Sequence, residues 1–156
     1  CVQWSPGLLI DHSGTEHRAL LWLTYTQEAD GLLFWCIDFY QKNPWETPEM
    51  GAGTAGNGDG YLIYPRREGD PKDRFYETVR LQVLRDSIED YDALVILRQR
   101  LQEAETSGNA SPAALAAGRD ALVSAERVAT AVGNYSMEAS DYQYVRHLVS
   151  EAIEKL

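Results

Sequence analysis

Residues 30–65 read DGLLFWCIDFYQKNPWETPEMGAGTAGNGDGYLIYP, and the fold turns on them. From Leu32 to Asp38 apolar and polar residues do not alternate, which suits a strand covered on both faces, the habit of parallel sheets. A Trp-bearing loop rich in Gly and acids follows, and then a second strand-like run, Tyr61 to Tyr64. This layout brings aromatic rings and carboxylates to the place where a buried strand meets solvent. Ring faces stack on the C–H faces of pyranoses and carboxylates accept hydrogen bonds from hydroxyls, so the pattern points to a sugar-binding cleft.

Upstream, Gly7 to Asp11 (GLLID) is a short apolar run ending in an acid, expected to be the end of another buried strand. Ser13 with Glu16 three residues on forms a capping box, and a helix is expected through Leu20, Leu21, Trp22 and Tyr25 until Asp30-Gly31 stops it. Strand, helix and strand with short connections make a βαβ unit with a right-handed crossover. Two strands do not make a stable parallel sheet, so the remainder of the sheet is expected upstream. The chain opens at Cys1 with neither Met nor a basic and apolar leader, and it reads as a fragment.

Composition changes near residue 75. All four Trp, all three Phe and both Cys lie in the first half, and Ala, Leu, Val, Glu and Arg dominate the second. A long helix is expected from an Asp70-Pro71 start to about Glu105, with Leu81, Leu84, Ile88, Tyr91 and Val95 on its inner stripe and the stripe drifting through Leu94, Leu97 and Leu101. Residues 106–111 form a turn. A helix from Ser111-Pro112 is expected to carry Leu115, Leu122, Ala125, Val128 and Val132 and to end at Gly133-Asn134. A last helix starts near Ser140 and carries Tyr144, Val145, Leu148, Val149 and Ile153. The expected division is residues 1–69 as a βαβ unit with site loops, and residues 70–156 as a long helix with an antiparallel helical tail.

The 156 residues, 44% hydrophobic, suffice for one globular core, and no apolar run reaches the length of a membrane span. A formal charge of −10 repels phosphate backbones and anionic lipid, which excludes nucleic acid and membrane surfaces as expected partners. Two cysteines make no disulfide framework; Cys36, inside the apolar run, reads as a small buried hydrophobe, and the compartment stays open, secretion or a periplasmic location included. No cofactor or metal is expected. Gly51 to Gly56 spells G-x-G-x-x-G without a strand before or a helix after it. A calcium loop with Gly60 in sixth place would begin at Ala55 and end at Arg66, where acids are needed. His12, His17 and His147 lack ligand spacing. Arg80, Arg85, Asp86, Glu89 and Asp90 read as a solvated charged face with pairs such as Arg85 and Glu89.

A family resemblance rests on a defined set of residues: Arg18 and Trp22 in a helix, Gly31 to Trp35, the Asn43-Pro44-Trp45 loop, the Gly58-Asp59-Gly60 turn with Tyr64-Pro65 after it, and Ile88 to Tyr91 closing an Arg-rich helix. Over roughly residues 8–97 this resembles the C-terminal segment of bacterial proteins related to glycoside hydrolase family 123, also catalogued as a domain of unknown function. Gln82 stands where the family usually has Glu, and Ser87 where it usually has Gly. The resemblance implies an α/β fold, the last two strands and helices of a (β/α)8 TIM-like barrel followed by a helical extension, mostly α by residue count. It also implies kinship with retaining N-acetyl-β-galactosaminidases, in which the substrate's acetamido group is the nucleophile, assisted by an adjacent Asp-Glu pair on an earlier strand. Glu89-Asp90 has the reverse order and lies mid-helix, so the catalytic pair and the rest of the barrel are expected upstream, with no catalytic residue in this chain and no activity from the fragment alone. A non-catalytic glycan-binding or helical assembly module is the competing expectation.

Barrel sites gather at the C-terminal ends of strands and in the loops that follow. The expected glycan-contacting residues are therefore Asp11, Trp35, Asp38, Tyr40, Trp45, Asp59 and Tyr61. Trp35 reads either as core or as a subsite floor. Asp38 either binds a sugar hydroxyl or pairs with Arg18 or Lys42, since an unpaired carboxylate is costly to bury. Trp45 either stacks on ligand or plugs the barrel mouth. Asp59 either organises its Gly-flanked turn or reaches ligand, and Asp11 has a competing local role beside Ser13.

Overall fold

The computed structural model describes residues 6–49 and 56–156; Gly51 to Ala55, most of the G-x-G-x-x-G string, lie outside them. The elements are α1 (Gly14–Thr26), β1 (Ile63–Pro65), β2 (Phe75–Glu77), α2 (Val79–Ser107), α3 (Pro112–Val128), β3 (Ala129–Ala131), β4 (Asn134–Tyr135) and α4 (Ala139–Lys155). The four helices pack on one another and the two sheets are two-stranded and antiparallel. This is a helix-rich α/β chain.

The capping box forms as its sequence dictates: the Ser13 hydroxyl accepts from Glu16 N–H at 3.2 Å and the Glu16 carboxylate from Ser13 N–H at 2.9 Å. In the core, the Trp22 and Tyr142 rings meet edge to face at 5.2 Å, surrounded by Ala19, Leu94, Leu97, Ala125 and Val149. Ser87 is fully buried and its hydroxyl donates to Arg18 O at 2.6 Å, so a small side chain lets α2 approach α1 closely. Gln82, the other departure from the family pattern, donates to Glu77 on the surface.

Four expectations are corrected. Leu32 to Asp38 and Gly7 to Asp11 are not strands: among the described residues neither has a parallel neighbour, and a lone strand leaves its ladder groups unpaired. The helix does not start at Asp70-Pro71, because Asp70 caps a turn and β2 pairs with β1 in the register Tyr64↔Tyr76; α2 begins after Thr78, whose hydroxyl caps Leu81 N–H. Helix α3 stops at Val128 and Gly133, at φ 82°, turns the β3–β4 hairpin rather than capping a helix.

The inner stripe of α2 is also shifted. Its buried residues are Arg80, Ser87, Asp90, Leu94, Leu97, Leu101 and Ala104, while Ile88 is 46% exposed. The polar members face inward because they find hydrogen-bond partners there: Ser87 and Asp90 on α1, and Arg80 at carbonyls of the flanking loops.

Candidate functional site

Two buried charges that composition assigned to a solvated face organise the molecule. Asp90, 1% exposed, accepts from Arg18 Nε at 2.7 Å and Nη2 at 3.1 Å, and from Trp22 Nε1 at 2.9 Å, with Arg146 Nη1 of α4 at 3.0 Å. Glu89 pairs with Arg146, and Arg85 with Asp86, instead of with each other. Arg80, 6% exposed, sits in the first turn of α2 and donates to three carbonyls: Leu8 O at 2.6 Å and Gly58 O at 2.7 Å from Nη1, and Tyr61 O at 2.6 Å from Nη2. Burial lowers its pKa. One guanidinium thus draws the 7–10 segment and the 56–62 loop onto the start of α2.

This clamp assembles the candidate face. Ile10 N–H donates to Asn57 O at 2.8 Å, and Asp11 accepts from Asn57 Nδ2 at 3.0 Å. The aromatic run joins from the other side: Phe39 N–H donates to Gly60 O at 2.9 Å, Leu62 N–H to Ile37 O at 2.8 Å, and Asp38 bridges Tyr61. The Trp35 indole donates to Asp59 at 2.9 Å and lies so close over Gly60 that a Cβ there, at φ 77°, would sit 2.4 Å from the ring. Gly58, at φ 74°, is tied likewise to Ile10 and Arg80. The glycines of the Gly-Asp-Gly turn are there for close approach as well as for turning.

Rings continue the face in a chain. Tyr40 lies 5.7 Å from Tyr61, Tyr61 lies 5.4 Å from Tyr64, Tyr64 lies 4.7 Å from Trp45, and Trp45 lies 5.3 Å from Tyr76. Tyr40 OH donates to Ile63 O at 2.6 Å, Tyr61 OH to Pro48 O at 2.8 Å, and the Trp45 indole to Pro65 O at 3.0 Å. Tyr61 is 2% exposed, and burial pushes its phenol up to about 12.

All seven residues expected at the site therefore lie on or beneath one connected surface. Trp35 is 51% exposed, so it is not core among the described residues. Asp38 pairs with neither Arg18, which serves Asp90, nor Lys42, which holds Glu49; it takes the Cys36 thiol at 3.4 Å, and Cys36 is half-buried. Beside the face, between the starts of α1 and α2, a cavity of about 350 Å³ is lined by Ile10, His12, His17, Tyr64 and Arg80 among others. His17 Nε2–H donates to Leu9 O at 3.0 Å, and burial lowers its pKa. Among the described residues no group of His, Cys, Asp and Glu could hold a metal ion, and no helix is long and apolar enough to cross a membrane.

Sequence reading missed Arg80 and Asp90. For Asp90 the signal was the pairing of Arg18 and Trp22 on one face of α1, two donors that need a common acceptor; for Arg80, whose partners are main-chain carbonyls, the sequence carries none.

Residues 1–97 match the family model described as glycoside hydrolase 123, catalytic domain. The chain belongs to glycoside hydrolase family 123. One solved structure similar to this family 123 chain is a family 123 glycoside hydrolase from Clostridium perfringens, whose description concerns glycolipid glycan hydrolysis. It shares 20% identity at a TM-score of 0.63, over 98% of this chain and 25% of that one. The family 123 chain thus spans about a quarter of that structure's length. No curated protein sequence matches it.

Proposed function

We infer that this family 123 chain forms the C-terminal part of a (β/α)8 barrel, with residues 1–69 as its last βαβ unit, whose 7–11 and 32–38 segments complete strands only against upstream ones, and residues 70–156 as a barrel helix and helical tail, and that its loops form one wall of a glycan-binding cleft. The observation that carries this reading is the face built on the Arg80 clamp. It presents a half-exposed Trp35 and the carboxylates of Asp11, Asp38 and Asp59 on one surface, beside the half-buried rings of Tyr40, Tyr64 and Trp45, which rest against the buried Tyr61. Rings and carboxylates on one surface are what a pyranose needs.

The uncovered apolar run supports the barrel half of the reading. Leu33 is 88% exposed, and Leu32, Ile37 and Phe39 are each more than a third exposed. A contiguous apolar strip of this kind is covered when neighbouring strands lie against it. The occupant is the upstream part of the barrel.

The activity that follows is retaining hydrolysis of an N-acetyl-β-galactosaminide. The substrate acetamide acts as nucleophile and an upstream Asp-Glu pair assists it. Glu89-Asp90 takes no part, since both carboxylates are held by Arg18 and Arg146. The full-length protein is expected to release N-acetylgalactosamine from a chromogenic β-glycoside, and Trp45→Ala to raise KM more than it lowers kcat. A full-length protein that binds glycans but is silent on a panel of hexosaminides would replace the enzyme reading with a non-catalytic glycan-binding module.

A further inference from the structure

Beyond the seven candidate residues, the ring chain ends in a cluster of arginines. The Arg67 guanidinium lies 4.0 Å over the Trp45 ring and 5.7 Å from the Tyr76 ring, and Arg74 lies 4.9 Å from the same Tyr76 ring. Neither guanidinium has a hydrogen bond or carboxylate partner among the described residues. Asp70 accepts from Arg67 N–H at 2.8 Å and from Tyr76 OH at 3.0 Å; these bonds, with the nearby charges of Arg74 and Arg67, lower its pKa, but neither guanidinium bonds to its carboxylate. Arg66 is used up at the Asp70 carbonyl, 3.2 Å away.

Arg74 lines a surface groove of about 680 Å³ together with Phe75, Tyr76, Pro71, Asp73 and Glu77, and Arg67 adjoins it across the Tyr76 ring. Phe75 is 55% exposed, so an apolar ring faces solvent beside the donors. Stacking fixes the plane of each guanidinium and leaves its N–H edge open, the arrangement that receives a carboxylate bidentately. Asp73 and Glu77 on the other rim repel a second anion there, which confines the negative group to the arginine side.

We propose that Arg67 and Arg74, with Tyr76 and Phe75, form a subsite for a carboxylate-bearing sugar residue of the glycan, adjoining the Trp45 end of the cleft. This rests on the glycan-cleft reading and names the substrate class. The carboxylate pairs with the guanidinium edges while the pyranose ring lies on Phe75 and Tyr76.

The test is titration of the full-length protein by ligand-observed NMR with methyl β-glucuronide, the methyl glycoside of N-acetylneuraminic acid, neutral methyl N-acetyl-β-galactosaminide and sodium acetate. At least one acidic sugar is expected to bind, more weakly as salt is raised, and acetate is not. Arg67→Gln and Arg74→Gln are each expected to weaken the acidic sugar about tenfold and to leave the neutral glycoside unchanged. Both side chains are on the surface, so the variants should keep the parent's melting temperature, and Arg67→Lys, which keeps charge but loses the fork, should fall between. Acidic-sugar binding that survives both variants, or acetate binding as well as the sugars do, overturns the subsite and leaves the cleft standing. Failure of every sugar, neutral ones included, overturns the cleft and the subsite with it.

Discussion

Replacing Asp90 by Asn tests the view that a buried carboxylate, rather than a solvated charge run, joins the helices. The side chain is fully buried and holds Arg18, Trp22 and Arg146 at once. Asn keeps the shape and an acceptor for Trp22 but aims an amide at two guanidiniums. Removing one member of a buried charge pair costs ~3–5 kcal/mol, because the other charge is stranded. Here the Arg18 and Arg146 side chains keep 15% and 40% of their exposure, so both turn partly to water. The expected loss is therefore about 2–4 kcal/mol, or roughly 5–12 °C in melting temperature for a chain of this size. Arg146→Gln, which removes only the more exposed partner, should cost ~1 kcal/mol or less. Urea unfolding followed by far-ultraviolet circular dichroism and Trp fluorescence measures both. Asp90→Asn costing under ~1 kcal/mol, or no more than Arg146→Gln, would refute the reasoning.

Other substitutions probe the loop clamp. Arg80→Lys replaces a fork on three carbonyls with a point donor, and should cost ~1–3 kcal/mol and speed amide exchange at Gly58 to Leu62. Gly60→Ala puts a Cβ into the Trp35 ring at a left-handed φ, a cost of at least ~1–2 kcal/mol, and should shift the Trp35 indole N–H resonance as its bond to Asp59 breaks. Tyr61, raised to about 12, should give a late step in an absorbance titration, and Tyr61→Phe should remove that step. The unfolded chain releases this proton near pH 10 and the folded chain holds it, so stability from Tyr61 is intact below pH 10 and declines between about 10 and 12. His17 has the opposite sign: its pKa is lowered, so the unfolded chain takes up the proton first and stability declines as pH falls below the usual imidazole value, a slope that His17→Gln should flatten.

Features written locally were legible. The Ser13 and Glu16 box, the break between α2 and α3 within residues 106–111 and the Ser111-Pro112 start each needed only a few neighbouring residues. Asp70-Pro71 is equally local but serves a turn, because Phe75 to Glu77 finds a partner in Ile63 to Pro65, and pairing across ten residues is invisible to a capping rule. The run Leu32 to Asp38 shows the same limit from the other side: its composition reads as a strand covered on both faces, yet among the described residues no strand lies along it, and Leu33 is 88% exposed. Candidate site residues were named where rings and acids cluster in sequence, and the fold brings those segments together. Arg80 and Asp90 escaped because their meaning lies in carbonyls and donors 19 to 72 positions away.

The family match ends at residue 97, yet α2 runs on unbroken to Ser107 and Arg146 returns from α4 to Asp90. Anyone trimming an expression clone to the matched stretch would saw through a helix midway, strip the roof from Trp22 by deleting Tyr142, and orphan one claw of the central grip. The border of the homology is not a seam in the material, and a shortened version belongs no earlier than the end of α4.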